Sequence, residues 1–209
     1  TADNFVKDLQ KTASLNVSLT DSEGSLVIVK DESLSAEAYR LNIEKNRIKI
    51  EAGDIQGVNH GLASLLQLIM TAKDAQLPVL TIQDKPAFGY RGLMLDCARH
   101  FWTVDELKET LDHMAFFKLN TLHMHLTDNQ AWRLSMDKYP DLVKEGTYYY
   151  DFPELSGKYY SKEDLKEIVT YAGTRGIEII PEVDLPGHSI ALLAALPELS
   201  CRGGKFEAT

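Results

Sequence analysis

The chain has 209 residues, 44% hydrophobic and 25% charged, a balance that fits a globular protein with a real core. Its net charge of −9, with acids and bases interspersed, excludes a nucleic-acid backbone as the expected partner and favours a neutral or cationic small ligand. No stretch reaches the roughly 20 apolar residues of a membrane span, since the run from Val58 to Ala72 is broken by His60, Ser64 and Gln67. Thr1 is not followed by a basic and then apolar leader, so a secretory signal is expected to be absent or removed. Cys97 and Cys201 make no disulfide framework and are expected to be reduced or buried thiols.

Residues 1–84 are expected to form a small α+β domain. Leu15, Val17 and Leu19 alternate with polar residues, Leu26 to Val29 is a short apolar run, and Tyr39, Leu41 and Ile43 alternate again. Ile48 and Ile50 complete the set, with a hairpin turn predicted over Glu44–Arg47. Val58, Leu62, Leu65, Leu66 and Ile69 then recur at helical spacing, which predicts strands packed on one helix.

At Asp84-Lys85-Pro86 the pattern changes, and a boundary there makes 85–209 a second domain. Tyr90 to Leu95 reads as a strand. Thr103 to Glu106 is a capping box opening a helix whose apolar face is Val104, Leu107, Leu111 and Met114. Asn120 to Thr127 is the next strand. After a long segment with Tyr148, Tyr149, Tyr150, Pro153 and Gly157, Ser161 to Asp164 caps a helix with Leu165, Ile168, Val169 and Ala172 inward. Arg175-Gly176 stops that helix, and Ile177 to Val183 is a third strand.

Alternating βαβαβ predicts parallel strands in an α/β fold, either a doubly wound sheet or the start of a (β/α)8 barrel. His123 and His125 inside the second strand favour the barrel. A complete barrel needs about 250 residues and only about half that number follows the linker, so the barrel is expected to be partial. Its open edge should leave the isolated chain prone to aggregate or dependent on a barrel-completing segment.

Working residues of parallel α/β folds gather at the C-terminal strand ends. That rule selects Asp96 to His100, Asp128 to Arg133, and Glu182 to His188, with Trp102, Trp132 and the tyrosines as surfaces on which sugar rings could pack. There is no Gly-rich phosphate loop, G-x-S-x-G elbow or C-x-x-C pair, which leaves chemistry built from carboxylates, histidines and arginine.

Three segments resemble glycoside hydrolase family 20, the β-N-acetylhexosaminidases. Tyr90-Arg91-Gly92-Leu93-Met94-Leu95-Asp96-Cys97-Ala98-Arg99-His100-Phe101 looks like that family's first barrel strand. His123-Met124-His125-Leu126-Thr127-Asp128-Asn129-Gln130-Ala131-Trp132-Arg133 looks like the second, and Pro181-Glu182-Val183-Asp184-Leu185-Pro186-Gly187-His188 like the third. The N-terminal unit, with Gly57 to Leu62, resembles the family's non-catalytic domain. The resemblance implies exo-hydrolysis of terminal N-acetylglucosamine or N-acetylgalactosamine without a cofactor, by a retaining mechanism in which the substrate's acetamido oxygen attacks the anomeric carbon.

For single residues, the resemblance implies that Arg91 grips sugar hydroxyls and that Asp128 and His188 form a relay behind a catalytic glutamic acid. That acid and its neighbouring aspartate are expected on a fourth strand, outside these residues, so the isolated chain is expected to be inactive. Asn129 stands where the family often has a second acid, and Ala131 where glycine is common. The glycan substrates imply a secreted or periplasmic location. Two rival readings are a metal-dependent hydrolase using His123 and His125, and a non-catalytic carbohydrate-binding or interaction fragment.

Overall fold

A computed structural model describes residues 2–13, 15, 18, 24–73, 76–147 and 156–206. They fall into two compact units, residues 1–91 with 112–120 and 174–177, and residues 92–111 with 121–173 and 178–209. The expected Leu15–Leu19 strand lies largely outside the described residues, as do Tyr148 to Tyr150 and Pro153.

The first unit carries a mixed four-stranded sheet of β1 (Leu26–Lys30), β2 (Tyr39–Ile43), β3 (Ile48–Ala52) and β4 (Leu80–Asp84), ordered β1-β3-β2-β4. β1 runs parallel to β3, while β2 is antiparallel to both β3 and β4. The predicted turn is made, with Glu44 N donating to Arg47 O at 2.8 Å. Alternation sorts the two faces. Tyr39, Leu41, Ile43 and Ile50 are buried, whereas Arg40 and Lys49 pair with Glu51 on the other side.

Two helices, α1 (Ala2–Ala13) and α2 (Ile55–Thr71), cover the apolar face. Asp54 caps α2 by accepting from Gly57 N at 2.8 Å, and Val58, Leu62, Leu65 and Leu66 enter one core with Phe5 and Leu9 of α1. Neither α1 nor β4 is among the predicted elements.

The second unit contains a parallel sheet ordered β5-β6-β7, with β5 at Gly92–Asp96, β6 at Thr121–His125 and β7 at Glu178–Glu182. The crossovers are α3 (Val104–Phe116) and α5 (Lys162–Arg175), with the short α4 (Asp141–Lys144) between them and α6 (Ile190–Ala195) after β7. Both predicted caps form. Thr103 N donates to Glu106 at 2.7 Å and Glu106 N donates back at 3.3 Å, while Ser161 and Asp164 make the same reciprocal pair at 2.9 and 3.0 Å. Gly176 follows α5 at φ 74°, the left-handed stop that a glycine permits.

Leu107, Leu111, Met114, Ile168 and Ala172 are buried as expected. Val169 is not, being 54% exposed, because it lies only one residue past Ile168 and so faces away from the buried stripe. Among the described residues, central β6 has two strand neighbours while β5 and β7 have one each. Met94, Ile180, Val183 and Leu185 remain exposed on or just after those edges.

Candidate active site

Strand register builds the site. Asp96, His125 and Glu182 are direct partners across β5, β6 and β7, so their side chains project from one face as a single row at the C-terminal strand ends. Two positions back, the next row down places His123 opposite Met94 and Ile180. Each polar residue is thus held by a backbone ladder instead of a loose loop.

Asp128, just beyond β6, is the hub. Only 1% of its side chain is exposed, and Asp128 N donates to Ala131 O at 2.9 Å to hold the turn. Its Oδ1 receives the Asn129 N–H at 2.6 Å and meets His188 Nδ1 at 3.0 Å. Its Oδ2 meets His125 Nε2 at 2.8 Å and the Arg99 guanidinium at 2.5 Å. Burial alone would raise its proton affinity, but these bonds and the Arg99 charge outweigh burial and hold the carboxyl below the usual range.

On the other side of His125, Nδ1 lies 2.9 Å from Glu182 Oε1, and Glu182 Oε2 lies 2.5 Å from His123 Nε2. Burial opposes a charged His125, yet its bonds to Asp128 and Glu182 prevail and raise its value above that of an ordinary histidine. Burial likewise opposes the Glu182 charge, and the bond from His125 with the charge of both histidines outweighs it and lowers the value.

His188 arrives on the loop after β7 with φ 51°, a left-handed backbone that histidine adopts more readily than most side chains. The preceding Asp184 N donates to Thr127 Oγ1 at 3.0 Å, and Ile190 N donates to Asn129 Oδ1 at 3.3 Å, tying this loop to the one bearing Asp128. Asn129, where a second acid was the family expectation, therefore serves as an acceptor for backbone.

Arg91 stands immediately before β5. Its Nη2 meets Glu37 at 2.5 Å, and its Nη1 and Nε donate to the carbonyls of Phe88 and Lys118, each at 2.8 Å. Arg99, by contrast, stands just past the C-terminal end of β5. It joins Asp96 at 2.7 Å and Asp128, and 43% of its side chain is exposed. Sequence reasoning passed over Arg99 even though it lies in the same quoted motif. Its position three residues after a strand-end acid was the available signal.

The metal reading meets a different geometry. His123 and His125 face one way, but His123 Nε2 and both nitrogens of His125 are directed at carboxylates, which leaves no open imidazole pair. His125, Glu182 and Asp184 do offer donor atoms within 4.8 Å of one another, and the Glu182–His125 bond would have to break to admit an ion.

Trp132 is not a sugar platform. It is 6% exposed and packs with Leu142 and Ala191, its indole N–H donating to Leu134 O at 2.9 Å. Cys97 is buried, which pushes its thiol up to about 11, and Cys201 is free and exposed. The buried Arg133 donates to the carbonyls of Cys97, Ala98 and Lys158 at 3.1, 2.9 and 2.6 Å, fixing the loops around the site.

Residues 1–85 match the model of glycosyl hydrolase family 20, domain 2, and residues 88–209 that of the glycosyl hydrolase family 20 catalytic domain. A beta-hexosaminidase of Vibrio furnissii is 39% identical over 184 residues, covering 83% of this chain and 30% of that protein. The solved GH20 exo β-N-acetylglucosaminidase of Vibrio harveyi, in complex with N-acetylglucosamine, superposes with a TM-score of 0.87 at 34% identity, covering 99% of this chain and 36% of that one. A mutant Streptomyces plicatus beta-hexosaminidase in complex with product gives a TM-score of 0.89 at 34% identity, covering 99% of this chain and 43% of that one. The chain spans less than half the length of each of these relatives. With both models matched, in the order and over the strands that carry its polar row, the chain belongs to glycosyl hydrolase family 20, as part of a (β/α)8 barrel and the smaller α+β domain that precedes it.

Proposed function

We propose that this chain is part of an exo-acting β-N-acetylhexosaminidase that removes terminal N-acetylglucosamine or N-acetylgalactosamine from glycans, with retention and with the substrate's acetamido oxygen as nucleophile. The observation that carries the reading is the buried Asp128 carboxylate bound to His188 Nδ1 at 3.0 Å. An ionised carboxylate fixes the proton on Nδ1 and leaves Nε2 to meet the glutamic acid expected on a fourth strand. Asp128 orients and His188 adjusts the proton affinity of that acid, which protonates the leaving oxygen.

For the grip on sugar hydroxyls, two arginines compete. Arg99 is favoured over Arg91, because 43% of its side chain is exposed at the C-terminal strand ends beside Asp128, against 16% for Arg91, which stands before β5 at the other end of the strand. Export from the cytoplasm is proposed on substrate grounds.

The test is p-nitrophenol release from the β-N-acetylglucosaminide and the β-N-acetylgalactosaminide by the full-length gene product. Turnover with the β-anomer formed first supports the reading. A full-length protein that is folded yet inert toward both aminosugars sinks it.

A further inference from the structure

His125 is 5% exposed, and each of its ring nitrogens points at a carboxylate oxygen: Nε2 at Asp128, 2.8 Å away, and Nδ1 at Glu182, 2.9 Å away. An ionised carboxylate can only accept a hydrogen bond. Two such neighbours require both nitrogens to be donors, so the ring is an imidazolium. The other arrangement would be a neutral ring beside a protonated carboxyl. It would set an uncharged acid against the Arg99 guanidinium, which shares Asp128 Oδ2 with His125, or leave Glu182 uncharged between two histidines.

We propose that Glu182 is a positioning residue for the hexosaminidase reaction: by accepting from His125 it keeps that ring doubly protonated, and the resulting fixed cation holds Asp128 ionised and turned toward His188. The row thus runs from His123 through Glu182, His125 and Asp128 to His188, crossing from β6 to β7 and back. Glu182 lies two bonds behind the relay and has no need to touch substrate. Its effect is to make Asp128 an acceptor whose charge is already matched, so the proton shared with His188 stays on His188.

The charged surroundings agree. Asp96 faces His125 from β5, with Arg99 on the loop that follows; His123 shares its strand; Asp128 and Asp184 close the loops after β6 and β7; and the His188 ring lies edge-on with centroids 6.3 Å apart. Four carboxylates thus surround one arginine and the histidines, and the excess negative charge favours a proton on His125.

This proposal rests on the hexosaminidase reading, and Glu182→Gln in the full-length enzyme tests it. Glutamine keeps the length and an acceptor oxygen but removes the charge, so His125 should lose its second proton as pH rises through the ordinary histidine value near ~6.5. The kcat deficit is expected to be smallest at acid pH and to grow to about tenfold on the alkaline side, the factor of one pKa unit, with KM within about twofold. A loss of equal size at every pH, or none, overturns the proposal.

Histidine ring-nitrogen resonances of the wild-type protein give an answer that needs no turnover. Two protonated nitrogens on His125 through neutral pH support the assignment, and a ring that titrates as an ordinary neutral histidine overturns it. Absence of turnover in the wild type would sink the functional reading alone, leaving the resonances to decide this inference.

Discussion

Asp128 illustrates how much one buried charge depends on its neighbours. Replacing it with asparagine keeps the shape but strands the charges of Arg99 and His125. Removing one partner of a fully buried pair costs roughly 3–5 kcal/mol. Here about 2 kcal/mol is expected by urea titration, since Arg99 is 43% exposed and screened. The same substitution should lower kcat of the full-length enzyme by about 100-fold, the lower bound for a group that supports acid catalysis.

Arg99→Ala and Arg91→Ala separate the two arginine roles. The first is expected to raise KM by at least about tenfold, as loss of a charge-assisted bond would, and to lower the urea midpoint as well, because the buried Asp128 charge loses a partner. The second is expected to lower the midpoint with KM nearly constant. The opposite pattern would return the sugar contact to Arg91.

The cluster also sets a pH window. Asp128 and Glu182 are held below ordinary carboxylates, so their stabilisation is present above the unfolded-state range near ~4 and is lost as pH falls through the lower folded values. His125 is raised, so its contribution is complete below ~6.5 and fades as pH rises through its folded value. The stability gap between wild type and Asp128→Asn should therefore be widest between about pH 4.5 and 6.5 and shrink on either side in pH-resolved unfolding.

At the level of elements, the sequence spoke most clearly where local chemistry and burial agree. The two capping boxes, the Glu44–Arg47 turn and the alternation of Tyr39, Leu41 and Ile43 each act over a few residues, and each formed. The helix α1 escaped notice because its buried residues are just Phe5 and Leu9, too few to set an apolar helical period. The strand β4 escaped because it is largely exposed and is fixed by pairing with β2, which lies some 40 residues earlier in the chain. The structure brings Asp128 and His188, both singled out from their motifs, to 3.0 Å of each other. Glu182's contact with both histidines was not legible in the sequence, since it depends on the register of β6 against β7.

The helix α2 offers a test in which two local effects oppose each other. Alanine at Gly57 would gain up to about 1 kcal/mol in helix propensity. Its Cβ would, however, lie 2.3 Å from the Ala38 carbonyl oxygen, a backbone atom that cannot swing aside. Overpacking costs about 1–3 kcal/mol and should win, so Gly57→Ala is expected to lower the thermal midpoint despite making a better helix.

For the molecule as a whole, the parallel sheet states what it lacks. Among the described residues, β5 and β7 each leave one edge without a strand, and Met94, Ile180 and Val183 are exposed beside them. The 209-residue chain expressed alone is expected to elute as aggregates in size-exclusion chromatography and to release no p-nitrophenol. An active monomer would contradict both the open-edge argument and the placement of the acid on a fourth strand.

The pairing of Glu182 with two histidines of the adjacent strand has one more effect, on assembly. Side chains alternate along a strand, so sliding β7 by a single residue would turn Glu182 to the far face and set Pro181 or Val183 opposite His125. His123 would lose its carboxylate partner and His125 one of its two. The row of histidines and carboxylates therefore doubles as a proofreading mark for the seam between β6 and β7, penalising a misaligned sheet during folding.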